Sequence, residues 1–186
     1  MRLFVAVRFP PDLAAQASAA LPDLKLLRRV APELMHVTLA FIGNVPEETL
    51  ADATAAATEA AEATRVFQLR VAGLGQFPER GRPHVMWLGF TDPAPLIDLA
   101  ERARRSLTAR GVPFDAKPFR PHLTLARVRE EADRVEVRDL AIALRSTKAP
   151  GATFAVDALQ VIESTLSPKG PRYTAHWTAA LLRGAG

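Results

Sequence analysis

Two short segments decide the fold of this chain, His36-Val-Thr-Leu-Ala and His122-Leu-Thr-Leu-Ala. They lie 86 residues apart in a chain of 186, which is close to half its length. Both have the apolar and β-branched content of a strand. Recurrence of a segment at about half the chain length indicates an internal repeat. We therefore expect residues 1–186 to form one domain of two similar lobes, each with a strand that carries one copy of the segment.

The repeated segments predict which side chains face a cleft. Side chains on a strand alternate between its two faces. His36 and Thr38 therefore share one face, and the apolar residues that alternate with them share the other. The same holds for His122 and Thr124. If the two lobes face one another, both imidazoles and both hydroxyls converge on one groove.

Hydrophobic periodicity and the Gly and Pro residues that interrupt it predict the remaining elements. Strands are predicted over residues 2–8, 34–42, 66–74, 84–90, 122–128, 153–163 and 172–182. Helices are predicted over residues 11–21, 46–64, 92–110 and 133–145. A Gly- and Pro-rich loop is predicted over 73–83, and a turn over 167–171. Strands and helices mixed in this way indicate an α+β fold.

Composition excludes several classes of protein. The chain has no cysteine, which excludes disulfides, thiolate metal sites and a catalytic thiol. No apolar run approaches the roughly 18 residues that span a bilayer, so we expect no membrane association and a cytoplasmic location. The net charge of +4 and the pI of about 10.1 suit a polyanionic partner such as RNA, although a solvated arginine-rich surface is the commoner explanation.

The paired histidines suit phosphodiester chemistry. Opening a cyclic phosphate needs a base for the attacking water and an acid for the leaving sugar oxygen, and histidine can serve as either near neutral pH. The hydroxyls of Thr38 and Thr124 can bind phosphate oxygens, and Arg127 can neutralise developing charge. No carboxylate cluster accompanies the histidines, so we expect neither metal nor cofactor.

A zinc site is the competing interpretation of the same histidines. Two histidines on separate strands can ligate zinc, but a catalytic zinc usually has three protein ligands. His84, His176 and Glu163 are available for that purpose and lie outside the repeated segment.

The doubled motif resembles the 2H phosphoesterase superfamily, and within it the RNA 2',3'-cyclic phosphodiesterases, also called 2'-5' RNA ligases. The resemblance extends over nearly the whole chain, through Arg2-Leu-Phe-Val-Ala-Val, the two histidine segments, Gly73-Leu-Gly-Gln-Phe-Pro, Val85-Met-Trp-Leu-Gly and the tail from Glu163 to Tyr173. It implies a bilobal fold in which two pseudo-symmetric antiparallel sheets flank a central groove, with helices outside. It also implies hydrolysis of a 2',3'-cyclic phosphate to a 2'-phosphomonoester, and the reverse 2',5' ligation, without ATP or metal.

The resemblance also implies roles for particular residues. His36, Thr38, His122 and Thr124 occupy the motif positions, and Arg127 matches an arginine that follows the second motif. Phe41 is a candidate for the base pocket, with a place in the core as an equal alternative. The resemblance favours His36 as the acid to the 3' oxygen and His122 as the base to water. The near-symmetry of the motifs leaves both assignments open.

The expected partner is RNA with a 2',3'-cyclic phosphate end, with tRNA fragments among the candidates, bound by a monomer. The first alternative is another enzyme of the same superfamily whose substrate is a cyclic mononucleotide, a 2',5'-oligonucleotide or a cyclic ADP-ribose-type ester. A second alternative is an RNA-binding module without chemistry. Further candidates carry weaker arguments: Arg28 and Arg29 for RNA phosphates or a solvated face, Trp87 and Phe90 for the core, Tyr173 for the ligand, His176 for a structural role, and Arg80 and Arg82 for the groove rim.

Overall fold

The computed structural model describes residues 1–168 and 170–183, which form nine strands and four α-helices. The strands are β1 (Arg2–Arg8), β2 (Leu27–Arg29), β3 (His36–Asn44), β4 (Phe67–Phe77), β5 (Val85–Thr91), β6 (Leu123–Val128), β7 (Thr153–Val156), β8 (Ala158–Ser167) and β9 (Gly170–Ala180). The helices are α1 (Pro11–Ala20), α2 (Thr49–Glu62), α3 (Ala94–Ala109) and α4 (Arg134–Ser146). None of these helices is long and apolar enough to cross a membrane.

The strands form two antiparallel sheets of similar layout. The first sheet has the order β3-β1-β8-β9, and the second has the order β2-β6-β5-β4-β7. If β2 is left out, strands β3, β1, β8 and β9 of the first sheet correspond to β6, β5, β4 and β7 of the second. In each sheet a helix lies along the chain between the first two of these strands, α1 between β1 and β3 and α3 between β5 and β6. The motif strands β3 and β6 hold equivalent positions in this correspondence. The predicted α+β class with two antiparallel sheets is confirmed.

Alternation along the motif strands places their apolar residues in the core, as predicted. Val37, Leu39, Leu123 and Leu125 are at most 1% exposed, and all four belong to one large buried cluster. Burial of each such leucine stabilises the fold by about 1.5–3 kcal/mol. The buried faces thereby fix which way the histidines and threonines between them point.

Strand β4 continues through the glycines that predicted a loop. Gly75 lies opposite Trp87 of β5, and a Cβ built on Gly75 would be 2.2 Å from that indole ring. The glycine is therefore present because an aromatic ring lies directly over the backbone, not because the chain turns there.

Strand pairing also divides one predicted strand and adds another. The predicted strand 153–163 is interrupted at Asp157, because β7 pairs with β4 in the second sheet and β8 pairs with β1 in the first. Strand β2, which was not predicted, pairs with β6. The predicted turn over 167–171 is shorter than expected, since β8 extends to Ser167 and β9 begins at Gly170. Lys169 of that turn lies outside the described residues.

The helix boundaries follow local signals. The helix predicted from residue 46 begins at Thr49, after a turn in which the Thr49 amide donates to the Pro46 carbonyl. Helix α4 is present, with a reciprocal capping box between Asp133 and Glu136 at its first turn. Such a box satisfies free amides at the helix start and stabilises this short surface helix.

Candidate active site

A cavity of about 760 Å³ contains all six predicted site residues. The first sheet contributes His36, Thr38 and Phe41. The second contributes Thr124 and Arg127 from β6, together with His122, which immediately precedes that strand. The other lining residues are Arg2, Phe4, Arg28, Arg29, Val30, Ala31, Leu34, Ser164, Leu166, Gly170, Pro171 and Tyr173.

Both imidazoles are held by the same backbone interaction. The Nδ1 atom of His36 lies 2.7 Å from the carbonyl oxygen of Leu34, and the Nδ1 atom of His122 lies 2.6 Å from that of Arg120. A carbonyl oxygen only accepts hydrogen bonds, so each Nδ1 carries the proton. Each Nε2 is therefore the atom that can take or release a proton in the cavity.

Aromatic rings pack against each imidazole. The ring centroids of Phe4 and Tyr173 lie 4.7 and 5.2 Å from that of His36. The Phe77 ring meets His122 edge-on at 5.0 Å. These contacts restrict the rotation of both imidazoles.

Burial lowers the pKa of both histidines from the ordinary value of 6.5. For His36 the hydrogen bond to Leu34 partly opposes this effect, and the nearby His122 lowers the pKa further. For His122 the hydrogen bond to Arg120 opposes it, and the charges of Arg120 and Arg127 lower the pKa further. The charge of a protonated His122 therefore disfavours protonation of His36.

The threonine hydroxyls and Arg127 are free to bind a ligand. Among the described residues, neither hydroxyl of Thr38 and Thr124 has a hydrogen-bond partner, and no carboxylate pairs with Arg127. The exposed Arg127 lies directly opposite Arg28 in the pairing of β6 with β2. The site therefore offers two hydroxyl donors and guanidinium groups beside the imidazoles.

The sequence interpretation gave too little weight to several residues of this cavity. Arg2 and Phe4 line it from β1, on the strand face opposite to Leu3 and Val5, but Phe4 is itself apolar and buried, so no polar alternation marked it. Arg28 lines the cavity rather than only a solvated face. Tyr173 lines it as well, and burial raises the pKa of its hydroxyl.

Phe41 and Trp87 are not core residues. A place in the core was one of two alternatives for Phe41 and the expectation for Trp87. Phe41 is 36% exposed at the cavity, and the guanidinium of Arg2 lies 5.1 Å from its ring centroid. Trp87 is half-buried over Gly75 and lies outside the core clusters. Phe90 is buried in the core, as predicted.

The other arginines and the histidine that the sequence singled out have structural contacts or lie outside the cavity. Arg29 donates to the carbonyls of Ser18, Leu21 and Pro22 at the end of α1, although it lines the cavity. Arg82 donates to two backbone carbonyls outside the cavity, and Arg80 does not line it either. His176 lies 2.8 Å from a carboxylate oxygen of Glu163, as a structural role predicts.

Metal ligation would need a cluster of donors. In the described part of the chain, no three His, Cys, Asp or Glu residues lie close enough together to hold a metal ion. The additional ligands that the zinc interpretation requires are therefore not assembled around His36 and His122.

A second cavity of about 570 Å³ adjoins the first. The two share Thr38, Phe41 and His122, so these residues lie where the cavities meet. The second cavity is further lined by Phe77, Pro78, His84, Val85, Arg104, Asp115, Lys117, Pro118, Phe119 and Arg120.

Two backbone-anchored imidazoles, one on β3 and one directly before β6, each with a threonine two residues later, define the class of the 2H phosphoesterases. The model of the 2'-5' RNA ligase superfamily matches residues 9–167. The chain belongs to this family.

Relatives and solved structures agree with this class. A Thermus thermophilus protein named RNA 2',3'-cyclic phosphodiesterase is 33% identical over 183 residues, covering 94% of this chain and 87% of the relative. A crystal structure of a T. thermophilus protein is 31% identical with a TM-score of 0.80 and full coverage of both chains. E. coli LigT in complex with 3'-AMP is 28% identical with a TM-score of 0.76 and 97% coverage of each chain. The expected hydrolase class is thereby confirmed.

Proposed function

We propose that this chain hydrolyses the 2',3'-cyclic phosphate at an RNA end to a 2'-phosphomonoester, with His36 and His122 as acid and base. One observation carries the proposal: each Nδ1 is bound to a backbone carbonyl, so two Nε2 atoms from two sheets are left for one cavity. Acid and base catalysis of this reaction requires two such atoms, one protonated and one not.

The placement of the two histidines supports a division of roles. His36 lines only the larger cavity, whereas His122 lines both. If the terminal nucleotide occupies the larger cavity, His36 donates a proton to the leaving 3' oxygen. His122 then takes a proton from the water that attacks phosphorus, and the bond between phosphorus and the 3' oxygen breaks.

Phosphate binding is assigned to Thr38, Thr124 and Arg127. Their unpartnered donors can bind the non-bridging oxygens, whose charge increases in the transition state. Phe41 presents an exposed ring at the same cavity, as a base platform requires. No step in this mechanism needs a metal or a cofactor.

The charges of the larger cavity favour an RNA end over a mononucleotide. Arg2, Arg28 and Arg127 line it, none is paired with a carboxylate in the described residues, and no lining residue is acidic. Three guanidinium groups exceed what one cyclic phosphate monoanion needs, so we assign Arg2 and Arg28 to the preceding phosphates of the RNA. Relatives named RNA 2',3'-cyclic phosphodiesterase support this substrate. We propose further that the protein acts as a monomer within one domain, and that tRNA fragments are among its substrates.

The decisive experiment follows an RNA oligonucleotide that ends in a 2',3'-cyclic phosphate, in EDTA, with wild type, His36→Ala and His122→Ala. His176→Ala is the matched control, because that histidine pairs with Glu163 outside both cavities. We expect a 2'-phosphate product from wild type and control, and a loss of at least about a hundredfold in each motif variant. Activity that disappears in EDTA and returns with zinc alone would revive the metal interpretation, and wild type without turnover would refute the proposed substrate.

A further inference from the structure

Strand β3, which carries His36, is joined on its outer side to the chain segment that connects α3 to β6, residues 110–122. β3 is the outermost strand of the first sheet, so that side has no neighbouring strand. The carbonyl of Phe41 accepts a hydrogen bond of 2.8 Å from the amide of Asp115. The carbonyl of Leu39 accepts one of 2.9 Å from Nε of Arg104 on α3. The second lobe therefore contacts the first along the strand that holds one of the paired histidines.

Arg104 links this strand to the part of the α3–β6 segment that leads to the other histidine. While Nε donates to Leu39, Nη1 donates to the carbonyl of Lys117 at 2.8 Å. Lys117 lies shortly before His122, and two prolines between them restrict the backbone. One guanidinium therefore bridges β3 and the segment that ends at the second imidazole.

The position of the α3–β6 segment sets the position of the second imidazole. Nδ1 of His122 lies 2.6 Å from the carbonyl oxygen of Arg120, which belongs to that segment. His36 is anchored in the same way to Leu34, directly before β3. A shift of the segment along β3 would therefore change the distance between the two Nε2 atoms. A displacement of about 1 Å between reacting groups can lower a rate about a hundredfold.

The surroundings of Arg104 are those of a group that fixes geometry. The half-buried guanidinium lies 5.7 Å from the ring centroids of both Phe114 and Phe119. Within the described ranges no carboxylate forms an ion pair with it, and the nearby Asp115 is bonded to Lys117. Partial burial of a charge without a paired carboxylate costs stability. A role in stability alone therefore does not account for an arginine at this position.

We propose that Arg104 is a positioning residue that holds His36 and His122 at the separation which acid and base catalysis requires. The inference rests on the proposed function, because it needs both imidazoles to act on one phosphate. Arg104 acts through His122, by fixing the segment that carries this histidine against β3. Its loss should therefore lower the rate of the chemical step and leave substrate binding nearly unchanged.

The test measures single-turnover hydrolysis of an RNA oligonucleotide that ends in a 2',3'-cyclic phosphate, with enzyme in excess. Arg104→Met keeps apolar packing against the two rings and removes both donors. Arg104→Lys keeps the charge but donates from one nitrogen atom. Arg82→Met is the matched control, because Arg82 also donates to two backbone carbonyls and lines neither cavity. Each substitution is made in the wild type and in His122→Ala, and melting temperatures are recorded.

We expect Arg104→Met to lower the maximal rate constant about ten- to a hundredfold, with an unchanged melting temperature. The enzyme concentration that gives half the maximal rate should change less than about twofold, since no group assigned to the substrate is removed. Arg104→Lys should lose about three- to tenfold, as loss of one hydrogen bond predicts. In the His122→Ala background both substitutions should change the remaining rate less than about twofold, because residues that act as a unit are not additive. The two variants give the same comparison independently, so the result stands if only one of them folds.

Three outcomes would overturn the positioning role alone. They are a wild-type rate constant in the Arg104 variants, an equal loss in Arg82→Met, and a loss in the His122→Ala background as large as in the wild type. Absence of hydrolysis by the wild type, or a wild-type rate in His122→Ala, would instead refute the proposed function.

Discussion

Replacement of Arg28 by alanine should weaken RNA turnover and stabilise the fold at the same time. Arg28 and Arg127 lie directly opposite one another in the β2–β6 pair, and neither has a carboxylate partner among the described residues. Like charges in directly opposed strand positions are destabilising by about 0.2–1 kcal/mol. An anionic ligand would remove this cost, so the arrangement indicates binding rather than stability.

The magnitude follows from the contact that is lost. A hydrogen bond to a charged group contributes about 1.5–3 kcal/mol, and the exposure of Arg28 points to the low end of that range. We therefore expect Arg28→Ala to lower kcat/KM for an RNA oligonucleotide about tenfold. A 2',3'-cyclic mononucleotide has no preceding phosphate, so its kcat/KM should change less than about twofold. The free energy of unfolding should rise by about 0.2–1 kcal/mol.

The assay compares kcat/KM for the two substrates at several salt concentrations and adds denaturant unfolding. Arg138→Ala is the charge-matched control, because Arg138 pairs with Asp139 on α4 and lines neither cavity. Loss of one phosphate contact should also reduce the slope of log kcat/KM against log salt by about 0.7. Equal losses for the two substrates, or a similar loss in Arg138→Ala, would refute the assignment of Arg28 to a preceding phosphate.

Three further predictions follow from the site and the fold. The pH profile of kcat/KM should be bell-shaped with its maximum below pH 6.5. Burial lowers the pKa of both histidines, so the pH range in which one histidine is protonated and the other neutral lies at more acidic pH. A flat profile between pH 5 and 8, with chemistry rate-limiting, would contradict this prediction. Thr38→Val should lower kcat/KM by about ten- to a hundredfold and leave the melting temperature unchanged, since it removes one hydroxyl donor and little volume. Wild-type kinetics in this variant would exclude a contact between the Thr38 hydroxyl and the phosphate. Gly75→Ala should lower the free energy of unfolding by about 1–3 kcal/mol in denaturant titrations, because the added Cβ would be 2.2 Å from the Trp87 ring. In the control variant Gly73→Ala the added Cβ has no atom within 4 Å, so the free energy of unfolding should change little. Equal effects of the two substitutions would argue against the contact between Gly75 and Trp87.

Local patterns were sufficient for the four helices, for most of the strands and for the facing of residues on the motif strands. The side-chain period of a strand is two, so the buried positions of Val37 and Leu39 determine that His36 and Thr38 face the other way. The start of α1 at a proline likewise depends on only a few neighbouring residues. Such features depend on backbone geometry and sequence neighbours, which is why they could be predicted.

Features that depend on distant strands could not be read in the same way. Gly75 resembles a loop residue until Trp87 is known to lie over it. The predicted strand is interrupted at Asp157 because the segments before and after it pair with different sheets, and the local sequence pattern does not indicate this change of sheet. Arg28 is an ordinary surface arginine until β2 pairs with β6 and brings it opposite Arg127.

The sequence by itself determined the α+β class, the two motif strands and the orientation of their histidines and threonines, because hydrophobic alternation acts residue by residue along each strand. Only the tertiary structure decided that the two sheets bring the two imidazoles to one cavity, and that a second cavity adjoins them at His122. Those properties arise from the packing of two sheets whose strands come from both ends of the chain. Contacts of that kind depend on distances in space, which spacing along the chain does not specify.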